Sequence, residues 1–444
     1  MTNKRILLII LLLTSALVHF LFFGHPSETV FDEVHFGKFV SGYSTHKYYF
    51  DIHPPLGKLL IAGMGRLFDF RPEFSFAEIG QEFPDNTYLA LRFLPILAGT
   101  LFPIIVFLLC LQLGIRPIVS FLAGLFIVFE NALLVQSRSI LLDLFLLDFG
   151  FLALYFYLRY RASQKLTHLI WVGVFGILAG SVKWTGLSFL ALPFIIEAIS
   201  FLRKKDWKKI WRYVLAFMAI PFLIYFSVFW VHFSLLSHSG EGDAFMSPEF
   251  RKTLVGTSES QDPNVIEESL LGKFTELNIE MYRANQRLTT PHSYGSQWYT
   301  WPFMIRGVYY WNSDGIENQE RIYLLGNPIL WWATTLAIVF MIGKIIAKEI
   351  PLKGPAGILL GGYFINLLPF IGIGRVMFLY HYFPALVFSI LILAWLFNQQ
   401  KNLKWVYAFT VLVIISFVYF SPLSYGLSLS NSSYEQHNWL ESWK

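Results

Sequence analysis

Charge and cysteine are what this sequence has least of. One cysteine, Cys110, occurs in 444 residues. A single thiol closes no internal disulfide and no thiolate metal cluster, so cysteine usage is silent on the redox compartment. Asp, Glu, Lys and Arg make up only 14% of the chain, against about 25% in soluble domains. That scarcity excludes a disordered chain, a secreted disulfide scaffold and an ordinary cytosolic enzyme. The net charge of +5 is too small to argue for nucleic acid and is better read as loop topology. There is no low-complexity tract and no fixed-period repeat. No Gly-rich loop opens a helix after a strand, which leaves a nucleotide-sugar donor unsupported. The histidines lack metal-ligand spacing, so neither a metal site nor a cofactor is expected. No signal-peptide cleavage pattern follows the N-terminal Met-Thr-Asn-Lys-Arg; the apolar run 6–23 is too long for a signal core and reads as an uncleaved first span.

Apolar residues are abundant instead. The set AVILMFWYC reaches 55%, Phe alone occurs 45 times, and mean hydropathy is +0.53. These values point to an all-α polytopic membrane protein. With roughly 20 apolar residues per span, about eleven spans are expected, near 6–23, 91–112, 117–134, 139–158, 168–182, 184–202, 212–233, 326–345, 355–372, 376–397 and 403–421. Residues 1–444 then form one transmembrane domain with two long polar loops, 24–88 and 234–325. Within the first loop, Pro54 and Pro55 precede 56–68, whose Leu56, Leu59, Leu60, Met64 and Leu67 recur at helical spacing. This predicts a short helix with Pro in its first turn, lying along the membrane surface. Lys and Arg crowd alternate short loops, among them Arg203, Lys204, Lys205, Lys208 and Lys209. The bias places the N-terminus inside and both long loops, with the C-terminus, outside.

Three cations break that bias. Arg138, Lys183 and Arg375 fall at outer ends of spans, where a charge must snorkel or find a partner. Their common side, next to a carboxylate-bearing loop, favours a shared anionic ligand such as a lipid phosphate. That loop carries Asp32 and Glu33, then Asp51-Ile52-His53-Pro54-Pro55. An adjacent acid pair can supply a general base and its partner. It can equally be a helix N-cap Asp with Glu in the first turn, and His53 can be a turn residue.

These residues resemble a known family. Asp32-Glu33-Val34-His35-Phe36-Gly37, followed by Asp51-Ile52-His53-Pro54-Pro55-Leu56-Gly57-Lys58, is similar to the first lumenal loop of the protein O-mannosyltransferases. Four further blocks agree in order: 91–100 beginning Leu91-Arg92-Phe93, 130–143 containing Gln136-Ser137-Arg138, Ser181-Val182-Lys183-Trp184-Thr185-Gly186-Leu187, and 375–386 containing Arg375 and His381. The resemblance implies a GT-C-type glycosyltransferase fold of about eleven spans. It implies transfer of mannose from dolichyl or polyprenyl phosphate to Ser or Thr of an acceptor protein, with Asp32 as base. Glu33 would place the acceptor or keep the motif's geometry. Lys183, Arg138 and Arg375 would stabilise the leaving phosphate, with Arg92 a fourth cation or a partner of Asp32 or Glu33. His53 and His381 are further candidates for substrate contact. Direct attack by the acceptor predicts inversion at the anomeric carbon.

The chain also departs from the family. The second loop, about 90 residues long, is too short for the β-trefoil repeats of eukaryotic members, which favours a short prokaryotic-type member in a plasma membrane. Trp298, Trp301 and Trp311 stack on sugar or peptide, or form an interfacial belt. Asp143 and Asp148 lie inside a span, Asp143 within reach of Arg138. Glu130 suits a helix cap, and Glu197 can snorkel at the inner boundary. Two other functions stay open: a lipid-modifying relative of the aminoarabinose-transferase kind, and a polytopic transporter, though transporters concentrate charge at the midplane of repeated halves. Family members often work as dimers.

Overall fold

The computed structural model describes residues 2–314 and 318–443. Eighteen α-helices carry it among these residues: α1 Thr2–Phe20, α2 Glu33–Thr45, α3 Leu56–Leu67, α4 Tyr88–Gln112, α5 Pro117–Val128, α6 Asn131–Ser137, α7 Asp143–Ser163, α8 Leu166–Val182, α9 Ser188–Lys204, α10 Ile210–Val214, α11 Ile220–Leu235, α12 Pro248–Arg251, α13 Leu270–Arg287, α14 Pro328–Ile346, α15 Gly354–Ile365, α16 Phe383–Asn398, α17 Lys404–Tyr425 and α18 Asn431–His437. Strands β1 Val308–Asp314, β2 Asn318–Leu324 and β3 Ser428–Ser430 form one antiparallel sheet in that order.

Seven helices among the described residues are long and apolar enough to cross a membrane, and an eighth is counted if the bent pair α5–α6 is one span. The three other expected spans fall on α1, α7 and α8. Every 18-residue stretch of α7 carries three charges, and α8 has 17 residues. The expected unbroken span 117–134 is therefore corrected to two helices bent by 61°. The cause is local. Glu130 takes an extended backbone, and its carboxylate accepts Leu133 N–H at 2.7 Å as the N-cap of α6. Its other oxygen accepts Asn327 N–H at 2.9 Å, tying the bend to the start of α14. Between α10 and α11, a π-helical stretch at Leu215–Ala219 keeps Trp207–Leu235 continuous.

Helix α16 is the axis of the molecule. Its span is 89% buried, against 22% for Trp207–Leu235 at the periphery, and it packs against α4, α5, α14 and α15. The two long loops and the C-terminal segment meet on one side of the helical body. Lys47 and Val255 both bridge to His238. Trp311 Nε1 donates to Glu28 Oε2 at 2.7 Å, β3 completes the sheet begun in the second loop, and Trp443 Nε1 donates to the Met304 carbonyl at 2.7 Å.

Two expectations are corrected here. Trp301 and Trp311 belong to the core rather than to an interfacial belt, because each indole sits under the loop layer and spends its N–H inside it, Trp301 on Ser296 Oγ. Glu197 does not snorkel; it is buried and accepts from Tyr157 and Tyr213 hydroxyls at 3.0 and 3.2 Å. Helix α3 forms after Pro55 as expected, and Leu56, Leu59 and Leu60 pack, partly buried, against the core. Gly57, Lys58, Ile61, Ala62 and Gly65 face the protein, while Leu67 and Phe68 stay exposed. Small residues at this spacing let α3 lie close to α2, α4 and α8, and its exposed end at Leu67 and Phe68 is left for a lipid surface.

Candidate active site

The acid motif opens α2, and its two carboxylates have opposite environments. Glu33 is fully buried and accepts four hydrogen bonds: Val30 N–H at 2.9 Å, Ile140 N–H at 2.8 Å, and Arg92 Nε and Nη2 at 2.8 and 2.7 Å. The remaining N–H groups of Arg92 go to the carbonyls of Gly24, Pro26 and Glu28, and its guanidinium lies over Tyr88 and Phe83. Arg92 is thus no ligand-facing cation. It locks α2 to α4, and Glu33 in turn holds the α6–α7 turn.

Asp32 occupies the N-cap position of α2 but makes no side-chain cap bond, and its carboxylate accepts no hydrogen bond among the described residues. The capping alternative is corrected accordingly. Burial pushes the Asp32 carboxyl up to about 6; His35 and Lys183 pull it down, and Asp143 and Asp51 push it further up. The preceding Phe31 has φ +47°, uncommon for an aromatic residue. It is held there by a stacked contact on Tyr310 at 4.1 Å and by Phe31 N–H donating to the Tyr310 carbonyl at 3.0 Å.

A cavity of about 210 Å³ is sunk between α7, the end of α8, α13 and the segment leading into α16. Asp32 is not in its lining but lies within electrostatic reach of Lys183 and Asp143, which are. Its polar wall holds His53, Asp143, Lys183, Asn285, Arg375 and His381; its apolar wall includes Leu146, Leu147, Phe370, Ile373 and Pro384. Lys183 ends α8 and donates to both Asp143 oxygens at 2.8 and 2.9 Å. This corrects the expected Arg138–Asp143 pairing. Gln136 Nε2 donates to the same carboxylate at 2.5 Å, and Tyr310 Oη donates to Gln136 Oε1 at 2.5 Å, linking the Phe31 stack to the cavity. The Lys183 ammonium also sits over the Tyr380 ring. Arg375 donates to Asn285 Oδ1 and lies 3.5 Å from His381 Nε2. It contacts no carboxylate among the described residues, so its charge is free for an anion. His381 is stacked against Trp301 and Tyr380. Burial together with Lys183, Arg375 and Lys58 holds the His53 imidazole well below the usual histidine range, so it is neutral.

Four of the eight expected site residues, His53, Lys183, Arg375 and His381, therefore line one cavity, with Asp32 within electrostatic reach of it. Glu33 and Arg92 stand behind it. Arg138 is elsewhere: its guanidinium donates to the carbonyls of His19, Leu21 and Phe22 at 2.6–2.8 Å and stacks on Tyr425. The C-terminal carbonyls of α1 need a donor, and Arg138 is the cation that reaches them. Gln136, Asn285 and Tyr310 were not singled out from the sequence. Uncharged residues spread over three segments leave no spacing signal.

A helical body with seven or eight membrane-length spans thus carries a mainly apolar cavity with a charged wall, close to the acid-bearing loop. Residues 9–237 match the family model described as dolichyl-phosphate-mannose-protein mannosyltransferase, and residues 270–443 match the C-terminal four-transmembrane region of protein-O-mannosyltransferase. The chain belongs to the protein O-mannosyltransferase family and is a multi-pass membrane glycosyltransferase. It is 23% identical to dolichyl-phosphate-mannose–protein mannosyltransferase 1 of Saccharomyces cerevisiae, over 99% of this chain and 83% of that protein. The alignment runs over 685 positions, so the yeast protein carries long insertions relative to these 444 residues. Protein O-mannosyltransferase 1 of Drosophila pseudoobscura pseudoobscura is 33% identical over 69% of this chain and 34% of its own length. The fold matches a chain of the S. cerevisiae Pmt1-Pmt2 complex bound to the sugar donor with a TM-score of 0.90 at 22% identity, covering 100% of this chain and 93% of that one. The Archaeoglobus fulgidus oligosaccharyltransferase is a more distant likeness, with a TM-score of 0.52 at 14% identity over 98% of this chain and 57% of that one.

Proposed function

We propose that this protein transfers mannose from a polyprenyl (dolichyl) phosphate mannose to Ser or Thr hydroxyls of proteins, at the outer face of a prokaryotic plasma membrane. The observation that carries the reading is a carboxylate that accepts no hydrogen bond among the described residues, Asp32, within electrostatic reach of a cavity whose cations are Lys183 and Arg375. Asp32 takes the proton of the acceptor hydroxyl as its oxygen attacks the anomeric carbon. The bond from that carbon to the phosphate oxygen breaks, and the phosphate gathers negative charge against Arg375, with Lys183 shared between it and Asp143. His381 and His53 contact the sugar or the phosphate from the polar wall, and the first prenyl units lie along the apolar wall. One displacement predicts inversion, a β-linked donor giving an α-linked product. No metal or other cofactor takes part in this scheme. The yeast relative is found in a complex of two such chains, and a dimer is proposed here as well.

The test is transfer in detergent from radiolabelled polyprenyl phosphate mannose to a Ser/Thr-rich peptide, with Asp32→Asn alongside. Peptide labelling that is lost in a folded Asp32→Asn supports the scheme. Labelling of a glycolipid in place of the peptide moves the acceptor to lipid. Full activity in Asp32→Asn removes Asp32 as the base.

A further inference from the structure

The first loop holds a second ion pair, which the scheme above leaves unused. Lys58, on the packed face of α3, donates to the Asp51 carboxylate and, at 2.8 Å, to the His53 carbonyl. The pair is interior: Lys58 is 1% exposed and Asp51 9%. The Lys58 ammonium also lies over the rings of Phe39 and Tyr49. Neither residue lines the cavity of Lys183 and Arg375; His53, between them in sequence, does. The space around the pair itself is about 10 Å³, walled by Tyr49, Pro55, His232 and Met281. That is the room of about one water, so no part of a sugar or phosphate fits against it.

The backbone at 52–53 is gripped from the other side too. Asn285 Nδ2 donates to the Ile52 carbonyl at 3.1 Å, and the same Asn285 accepts from Arg375. Two successive carbonyls are thus fixed, one by α3 and one by α13, and the imidazole between them has its place in the cavity wall set from both directions. Ordinary packing accounts poorly for a charged pair here. Taking two ions out of water costs several kcal/mol each, and an apolar pair of equal volume is often as stable. An apolar residue at position 58, however, has nothing to give the His53 carbonyl.

We propose that Asp51 and Lys58 are positioning residues: Lys58, held by Asp51, fixes the Asp51–His53 turn so that the His53 imidazole faces the substrate cavity. The proposal rests on the transfer reaction proposed above for its kinetic readout. Because the pair acts through His53, its effect disappears when His53 is gone. Lys58→Met is expected to lower kcat/KM for mannosyl transfer about tenfold in the wild-type background and less than twofold in His53→Ala. An equal loss in both backgrounds, or wild-type turnover in Lys58→Met, overturns the assignment. If Lys58→Met does not fold, the same cycle is run with Asp51→Asn/Lys58→Met, which leaves no lone buried charge. A second readout does not depend on the reaction. The ring signal of His53 in a ¹³C-histidine-labelled sample, assigned through His53→Ala, is expected to move in Lys58→Met while that of His381 stays in place; an unmoved His53 signal overturns the proposal. A wild-type protein that transfers no mannose, together with a displaced His53 signal, defeats the proposed reaction and leaves the positioning role standing.

Discussion

Replacing Glu33 by Gln leaves the Arg92 guanidinium buried without its anion and turns one carboxylate oxygen, which accepts from two N–H groups, into an NH2 group that cannot accept from either. A loss of about 3–5 kcal/mol in stability is expected, read as a lower unfolding midpoint in detergent. Asp32→Asn has no such bonds to lose. It is expected to unfold as the wild type does while transfer falls by about 10²–10⁴. The acid pair in sequence is one motif, but the two side chains fail in different assays. The pH dependence follows from Asp32 alone. In the proposed scheme the reactive form is the carboxylate, and burial raises its pKa to about 6. Activity is therefore expected to fall as pH drops through about 6, tending to tenfold per pH unit below it, and to level off above. A kcat/KM profile flat from pH 5 to 8 would contradict Asp32 as the titrating base.

Helix ends decide which of the outer cations face the cavity. The sequence grouped Arg138, Lys183 and Arg375 by their place at span boundaries. In the structure Arg138 closes α1, Lys183 closes α8 and pairs with the first residue of α7, and Arg375 lies between α15 and α16 facing the cavity. Their substitutions separate accordingly. Arg375→Gln is expected to raise the donor KM about 10–100-fold, the value of one charged hydrogen bond, with stability little changed. Arg138→Ala is expected to lose about 2–4 kcal/mol of stability and leave the donor KM near that of the wild type. The reverse pattern, a donor KM that responds to Arg138 and not to Arg375, would move the phosphate site to the α1 end. The α5–α6 break belongs to the same scale. An apolar run of the right length predicted one span, and the capping carboxylate of Glu130 ended it early.

On the scale of the whole molecule, both loops and the C-terminal segment interlock on one side of the helical body, so the site belongs to a single membrane face. The one native thiol, Cys110, is buried, which makes labelling of introduced cysteines clean. In a Cys110→Ala background, Ile266→Cys on the second loop and Trp405→Cys at the start of α17 are both highly exposed positions. They are expected to react with a membrane-impermeant maleimide from opposite sides, Ile266→Cys from outside in intact cells. Labelling of both from the same side would break the orientation read from Lys and Arg.

Much of the architecture was legible in the chain because it depends on local composition. Long apolar runs seek the bilayer whatever their neighbours. Pro54-Pro55 starts α3 by fixing the backbone just before it, with Pro55 at the N-cap. The motif blocks pointed to the right family, because each is a contiguous run of side chains. The partners of buried charges were legible only in part: Arg92 with Glu33 was one of the alternatives open in the sequence, and the other pairs were not. Glu33 meets Arg92 across 59 residues, Lys183 meets Asp143 across 40, and Arg375 meets Asn285 across 90. A charge out of water must be matched, but sequence does not say by which group. That choice is made when the helices pack and bring one donor within reach, and it separates the cations that hold the fold from those left to face the cavity.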